Sequence, residues 1–208
     1  KAVMDELFLD DTVDLIEEMP ANVVHRIIAQ SDAETRSFIN EILKYPKDTA
    51  GSMMTIEFVS LNQNTTVGEA FERIRERYHG IAQELGLHVN LDAYLDEVCK
   101  RIQLGAGADY AASRGEYLNG ILMADYMGWD FVDPQTGIFF DKEGRLDSAK
   151  TQETLGAILK EHTHAVVPGF YGCDAYGNVK TFSRGGSDIT GAIVARAANA
   201  DLYENWTD

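Results

Sequence analysis

An α/β fold preceded by a small all-α helical stack is what this sequence predicts, and three observations lead there. In residues 9–45 the apolar side chains recur at helical spacing, with Val13 and Ile16, then Val23, Val24, Ile27 and Ile28, then Phe38, Ile39, Ile42 and Leu43. From residue 77 onward, short β-prone runs alternate with longer helical patterns, the texture of a parallel or mixed sheet covered on both faces. Hydrophobic residues make up 45% of the 208 positions, enough to bury one ordinary core or two small ones.

The elements follow in order. About three short amphipathic helices fill residues 9–45, with Asp10-Asp11, Pro20 and Ser31-Asp32 at the breaks, in a rhythm of the solenoid type. Residues 46–52 interrupt that pattern, and residues 57–61 read as a strand. Thr66 and Glu69 then form a capping box that opens a helix bearing Val67, Ala70, Phe71 and Ile74 on one face. Further helices are expected over 78–85, 91–104, 113–127 and 151–160. Strands are expected over 130–132, 138–140, 165–170 and, after a turn at 174–178, 179–182. A helix from the 183–188 run to about residue 198 and a final strand at 201–206 complete the chain. The division drawn from this is 1–50 as an acidic helical domain, 51–76 as a linker with a strand–helix unit, and 77–208 as the main α/β segment.

Acidic residues outnumber basic ones 34 to 18, a net charge of −16, so phosphate backbones and anionic membrane surfaces are repelled and nucleic acid is excluded as a partner. No run approaches 18 uncharged apolar residues, and no secretory signal opens the sequence, so a cytoplasmic location without a membrane span is expected. Cys99 and Cys173 lie far apart and outside any C-x-x-C or Cys/His cluster, which fits reduced thiols.

The strongest local motif is Arg184-Gly185-Gly186-Ser187-Asp188 at the start of a helix. Adjacent glycines let backbone N–H groups approach an anion, the helix N-terminus favours negative charge, and arginine adds a planar fork for a carboxylate or phosphate. The alternative is a tight Gly-Gly turn with Ser187 or Asp188 as a plain N-cap. The spacing matches neither the P-loop nor the dinucleotide fingerprint.

In order along the chain stand Gly80-Ile81-Ala82-Gln83-Glu84-Leu85-Gly86-Leu87, Ser113-Arg114-Gly115-Glu116, Gly169-Phe170-Tyr171-Gly172, Thr181-Phe182-Ser183-Arg184-Gly185-Gly186-Ser187-Asp188 and Trp206-Thr207-Asp208. With these pieces residues 77–208 resemble the aspartokinase family, the middle part of its catalytic domain. The resemblance implies a segment of the three-layer α/β/α amino-acid-kinase fold, and transfer of the γ-phosphoryl of ATP, with Mg2+, to the side-chain carboxylate of L-aspartate. It further implies that Glu116, Phe170, Arg184, Gly185, Gly186, Ser187 and Asp188 line the aspartate pocket. Arg184 and Asp188 would be the catalytic pair, with Arg184 clamping a substrate carboxylate. Thr207 and Asp208 would begin the ATP-binding segment. The family's K-F-G-G-T-S strand, which supplies a lysine, has no counterpart in the sequence, so an incomplete kinase segment of open activity is expected.

A second resemblance is carried by Leu43-Lys44-Tyr45-Pro46-Lys47-Asp48-Thr49-Ala50-Gly51-Ser52-Met53-Met54-Thr55, which is similar to the link between cytosolic parts of MgtE-type magnesium channels. Residues 57–61 and 66–75 then resemble the opening of that family's first CBS domain. This resemblance implies a magnesium-sensing regulatory region, without assigning ligands. Acidic pairs at Asp10-Asp11 and Glu17-Glu18 could hold a hard cation or be solvated faces. His162 and His164 sit two apart with no third ligand in evidence, Met53-Met54 could pack at a seam or fill a core, and Phe139-Phe140 with the Tyr and Trp residues near Gly128 read as core. Three readings therefore stand: an aspartate kinase-like enzyme with self-association left open, a magnesium-responsive module, or a chimera of two unrelated fragments joined near Glu76.

Overall fold

In the computed structural model the chain forms two compact units, Lys1–Thr65 and Thr66–Asp208. The structure describes residues 19–31, 36–37, 39–40, 44–45, 49 and 62–206. The strand expected at 57–61, the acidic pairs, Met53-Met54 and the Thr207–Asp208 positions lie outside these residues.

In the first unit, helix α1 (Ala21–Gln30) starts directly after Pro20 and ends at Ser31, as the punctuation predicts. Its C-terminal carbonyls, which have no partner within a helix, are taken up by neighbours. The Ser31 hydroxyl donates to the Ile27 carbonyl at 2.9 Å, and the Arg36 guanidinium donates to the carbonyls of Ile28 and Ser31 at 3.1 and 3.0 Å.

The second unit opens with helix α2 (Val67–Glu84), capped as the sequence specifies. The Thr66 hydroxyl accepts from the Glu69 amide at 3.2 Å while the Glu69 carboxylate accepts from the Thr66 amide at 2.8 Å, so two orphan N–H groups are satisfied reciprocally. This helix is continuous through residues 76 and 77. Its Phe71 packs in a core cluster with Leu91, Leu95 and Val98 of helix α3 (Leu91–Gln103), Tyr110, Leu118 and Leu122 of helix α4 (Ala108–Met127), and Tyr171 and Val179. On the surface of the same pair, Arg75 bonds to Asp92 and, at 2.5 Å, to Asp96, while His79 lies 3.0 Å from Asp92. Helix α4 begins five residues before the expected start. It buries residues around most of its circumference, including Ser113, Arg114 and Gly120, so it is a central helix rather than a one-faced surface one. It ends at Gly128 in the left-handed conformation, with the Trp129 amide closing onto the Ala124 carbonyl at 2.9 Å.

Strand β1 (Asp130–Phe131) pairs in parallel with strand β2 (Ala165–Val166), Asp130 opposite Ala165, across the crossover helix α5 (Ser148–Lys160). Strands β3 (Tyr171–Cys173) and β4 (Val179–Thr181) form an antiparallel hairpin with Tyr171 opposite Thr181. Its turn is held by Asp174, whose carboxylate accepts from the amides of Tyr176 and Asn178 at 2.8 Å each. A parallel bridge between Phe139 and Cys173 links the expected strand at 138–140 to β3. A second cluster of Val132, Ile138, Leu155 and Ala197 lies under α5 and the final helix α6 (Gly186–Ala197). The unit is therefore a mixed α/β fold, with few and short strands.

Three expectations are corrected. The run 165–170 pairs over Ala165–Val166, because Pro168 has no N–H to donate and Phe170 takes a positive φ of 59°. Residues 202–206 are not a strand; Leu202 and Trp206 are exposed at 74% and 87%, and no described strand lies alongside to pair with them. Tyr126 and Trp129 are surface residues rather than core, and Trp129 stacks on His164 with ring centroids 5.0 Å apart.

Candidate functional site

The site grows from the first turn of α6. Phe182 ends the hairpin, Ser183 and Arg184 bend outward, and Gly185 occupies the N-cap position in the left-handed region at φ 60°. No side chain caps this helix, so the plain N-cap alternative for Ser187 or Asp188 is not what forms. The first N–H groups of α6 thus have no side-chain cap. Asp188 stands in the first turn, where its Oδ1 accepts from Asn205 Nδ2 at 3.3 Å.

Against this turn lies the Gly169-Phe170 pair. A Cβ placed on Gly186 would come within 2.6 Å of Phe170 Cβ and 2.9 Å of Phe182 Cβ, so glycine is what lets the two segments touch. The Phe170 amide donates to the Thr190 hydroxyl at 3.0 Å, and the Phe170 carbonyl accepts from the Phe182 amide at 2.9 Å. A positive φ in a phenylalanine costs free energy and persists where its surroundings over-determine it, as they do here.

The structure thus brings Phe170, Gly185, Gly186, Ser187 and Asp188 together, with Arg184 at their edge. The Arg184 side chain is exposed, and among the described residues its guanidinium has no hydrogen bond or ion pair. Glu116 is not joined to them: it is exposed on α4 beside Tyr78, whose hydroxyl donates to the Gly115 carbonyl at 3.0 Å. Burial first, and the Glu116 carboxylate second, raise the Tyr78 phenol above its ordinary value.

Two residues of the site were not singled out in the sequence. Thr190 holds Phe170 in place, a role visible once α6 packs on the turn. Arg114, inside the Ser113-Arg114-Gly115-Glu116 motif, is 6% exposed and sits among Tyr110, Tyr117 and Tyr171. Burial, and then the Asp133 carboxylate, push the Tyr117 phenol up to about 12 and the Tyr171 phenol higher still. His162 and His164 do not converge on a common point, since His162 Nδ1 lies 2.9 Å from Asp130 and His164 faces Trp129. Among the described residues no three His, Cys, Asp or Glu side chains converge to hold a metal ion. No described helix is long and apolar enough to cross a membrane.

Both parts of the chain are similar to known proteins. Residues 1–48 match the family model described as the MgtE intracellular N domain. Beyond them the chain is similar in sequence and fold to aspartokinases. It is 33% identical over 154 residues to Aspartokinase 3 of Bacillus subtilis (strain 168), covering 67% of this chain and 34% of that protein. The crystal structure of Clostridium acetobutylicum aspartate kinase superposes with a TM-score of 0.66 at 48% identity, covering 70% of this chain and 33% of that one. E. coli aspartokinase III in complex with aspartate and ADP shares the fold, with a TM-score of 0.57 at 22% identity over 69% of this chain and 38% of that one. The chain spans about a third of the length of these aspartokinases.

Proposed function

We propose that the Thr66–Asp208 unit carries the amino-acid-binding part of an aspartate kinase-like phosphotransferase, acting on the side-chain carboxylate of L-aspartate. The supporting observation is the uncapped N-terminus of α6 beside an unpaired Arg184, with Phe170 packed on Gly186. Aspartate carries two carboxylates and one ammonium. A guanidinium fork and helix N–H groups suit a carboxylate, and the Asp188 carboxylate suits the ammonium. Holding the acceptor in one orientation is most of what phosphoryl transfer asks of this part of a protein.

ATP would supply the γ-phosphoryl group and Mg2+ would neutralise its charge. The described residues show no cation-ligand cluster, and the Thr207–Asp208 pair assigned to the nucleotide lies outside them. In this reading the chain's own contribution is to bind and orient aspartate. Glu116 joins that pocket if α4 and the turn approach on binding. A cytoplasmic location and a separate helical domain over residues 1–50 belong to the same reading.

Titration calorimetry of the full chain with L-aspartate tests it. Binding that Arg184→Ala removes, with unchanged melting temperature, is the expected result; absence of binding by the unmodified chain overturns the reading.

The match of residues 1–48 favours a second reading, a magnesium-responsive module in the Lys1–Thr65 unit. Millimolar Mg2+ should then raise the melting temperature beyond what equal ionic strength of NaCl gives, with CaCl2 as the ion control. A melting temperature that follows ionic strength alone sinks it.

A further inference from the structure

Arg114 is a buried cation with no carboxylate in ion-pair distance among the described residues. Its Nε donates to the Tyr110 carbonyl at 3.2 Å, and its Nε and Nη2 donate to the Ser113 hydroxyl at 3.2 and 2.9 Å. Its guanidinium carbon lies 4.3 Å from the ring centroids of both Tyr110 and Tyr117, and 5.2 Å from that of Tyr171. A buried charge is normally paired with an opposite one. Here, among the described residues, the compensation comes from three aromatic faces and two oxygens.

The position of these rings gives the arrangement its meaning. Tyr110 and Tyr117 belong to α4, whereas Tyr171 opens β3 and directly follows Phe170. Tyr171 is fully buried and its hydroxyl makes no hydrogen bond of good geometry, although the Asp133 carboxylate lies close to it, so the contacts of its side chain with α4 are made through the ring. The Arg114 guanidinium is the cation in those contacts. Phe170 in turn stands on Gly186 and is held by Thr190, so what fixes Tyr171 fixes the first turn of α6 from beneath.

We propose that Arg114 is a positioning residue for the α6 turn: by clamping Tyr171 against α4 it holds Phe170 where the Gly185-Gly186 turn can receive a carboxylate. The role rests on the aspartate reading above. Arg114 touches no substrate in this scheme, because its side chain is buried against Tyr110, Tyr117 and Tyr171.

The test compares Arg114→Met, which keeps length and removes charge, with Arg114→Lys, which keeps the charge. Each is titrated with L-aspartate in the full chain, at a temperature where far-ultraviolet circular dichroism shows it folded. A positioning role requires at least tenfold weaker binding by R114M and recovery to within about threefold of the unmodified protein by R114K. A merely structural role lowers the melting temperature of R114M and leaves the dissociation constant of the folded protein unchanged, which overturns the proposal. Should R114M not fold, Tyr117→Leu removes one of the three faces with Arg114 retained. Threefold or greater weakening then supports the role, and an unchanged dissociation constant overturns it. If the unmodified chain binds no aspartate, the functional reading falls and this role falls with it. Binding by the unmodified chain that these substitutions leave alone removes the Arg114 role by itself.

Discussion

The buried Thr190 hydroxyl joins Phe170 to α6 in both directions, accepting from the Phe170 amide at 3.0 Å and donating to the Gly186 carbonyl at 2.7 Å. One side chain therefore ties a left-handed phenylalanine to the turn it packs against, and Thr190 itself is 2% exposed.

Thr190→Val keeps the shape and removes the hydroxyl, leaving the Phe170 N–H unpaired. We expect a loss of about 1–3 kcal/mol in urea unfolding, with Thr190→Ser close to the unmodified protein. Equal stability of the two variants would show that the bond contributes nothing.

Gly185 and Gly186 respond to alanine for different reasons. At Gly186 the new methyl collides with Phe170 and Phe182, and about 1–3 kcal/mol should be lost by overpacking. At Gly185 there is open space, but φ is 60°, so the loss is about 1–2 kcal/mol of backbone strain. Gly186→Ala should also weaken aspartate binding, read by calorimetry.

Asp109, in the first turn of α4, is tied to β4. Its carboxylate accepts from Thr181 Oγ1 at 2.8 Å and from Lys180 Nζ at 3.1 Å. Desolvation works against ionisation, but the bonds from Thr181 and Lys180 prevail and hold the carboxyl below its ordinary value. A depressed folded value contributes stability that is fully present above the unfolded value of about 3.9 and is lost as pH falls through the folded one. Asp109→Asn should therefore destabilise the chain at pH 7 and flatten its stability profile below about pH 4, followed by chemical denaturation at each pH. A parallel acid limb in both proteins counts against the bond.

Thr66→Ala removes the hydroxyl half of the α2 capping box and should cost about 1 kcal/mol. Thermal unfolding at neutral pH is the check, and Thr66→Ser should restore most of it.

Helices were largely legible because their signals are local. Thr66 with Glu69, Pro20 and the Gly-Gly run announced ends that formed within a few residues of expectation. Strands were less so, since pairing depends on a neighbour: 202–206 has a suitable pattern and no edge to join, and Pro168 cuts short the run before Phe170. For the turn itself, the residues Phe170 and Gly185 through Asp188, which the sequence motifs name, lie side by side in the fold. Sequence could not show Thr190 or Arg114, whose roles exist once α4, β3 and α6 are packed, nor that Glu116 stands off on the Tyr78 side.

The unbroken α2 helix has a consequence for anyone dividing this molecule. A piece starting at residue 77, where the sequence pattern changes, would leave Phe71 and Ile74 behind and expose the face of Leu91, Leu95 and Val98 that they cover. It would also strip Asp92 and Asp96 of Arg75. The cooperative unit thus begins upstream of the change in sequence pattern, and a fragment meant to stand alone must begin no later than Thr66.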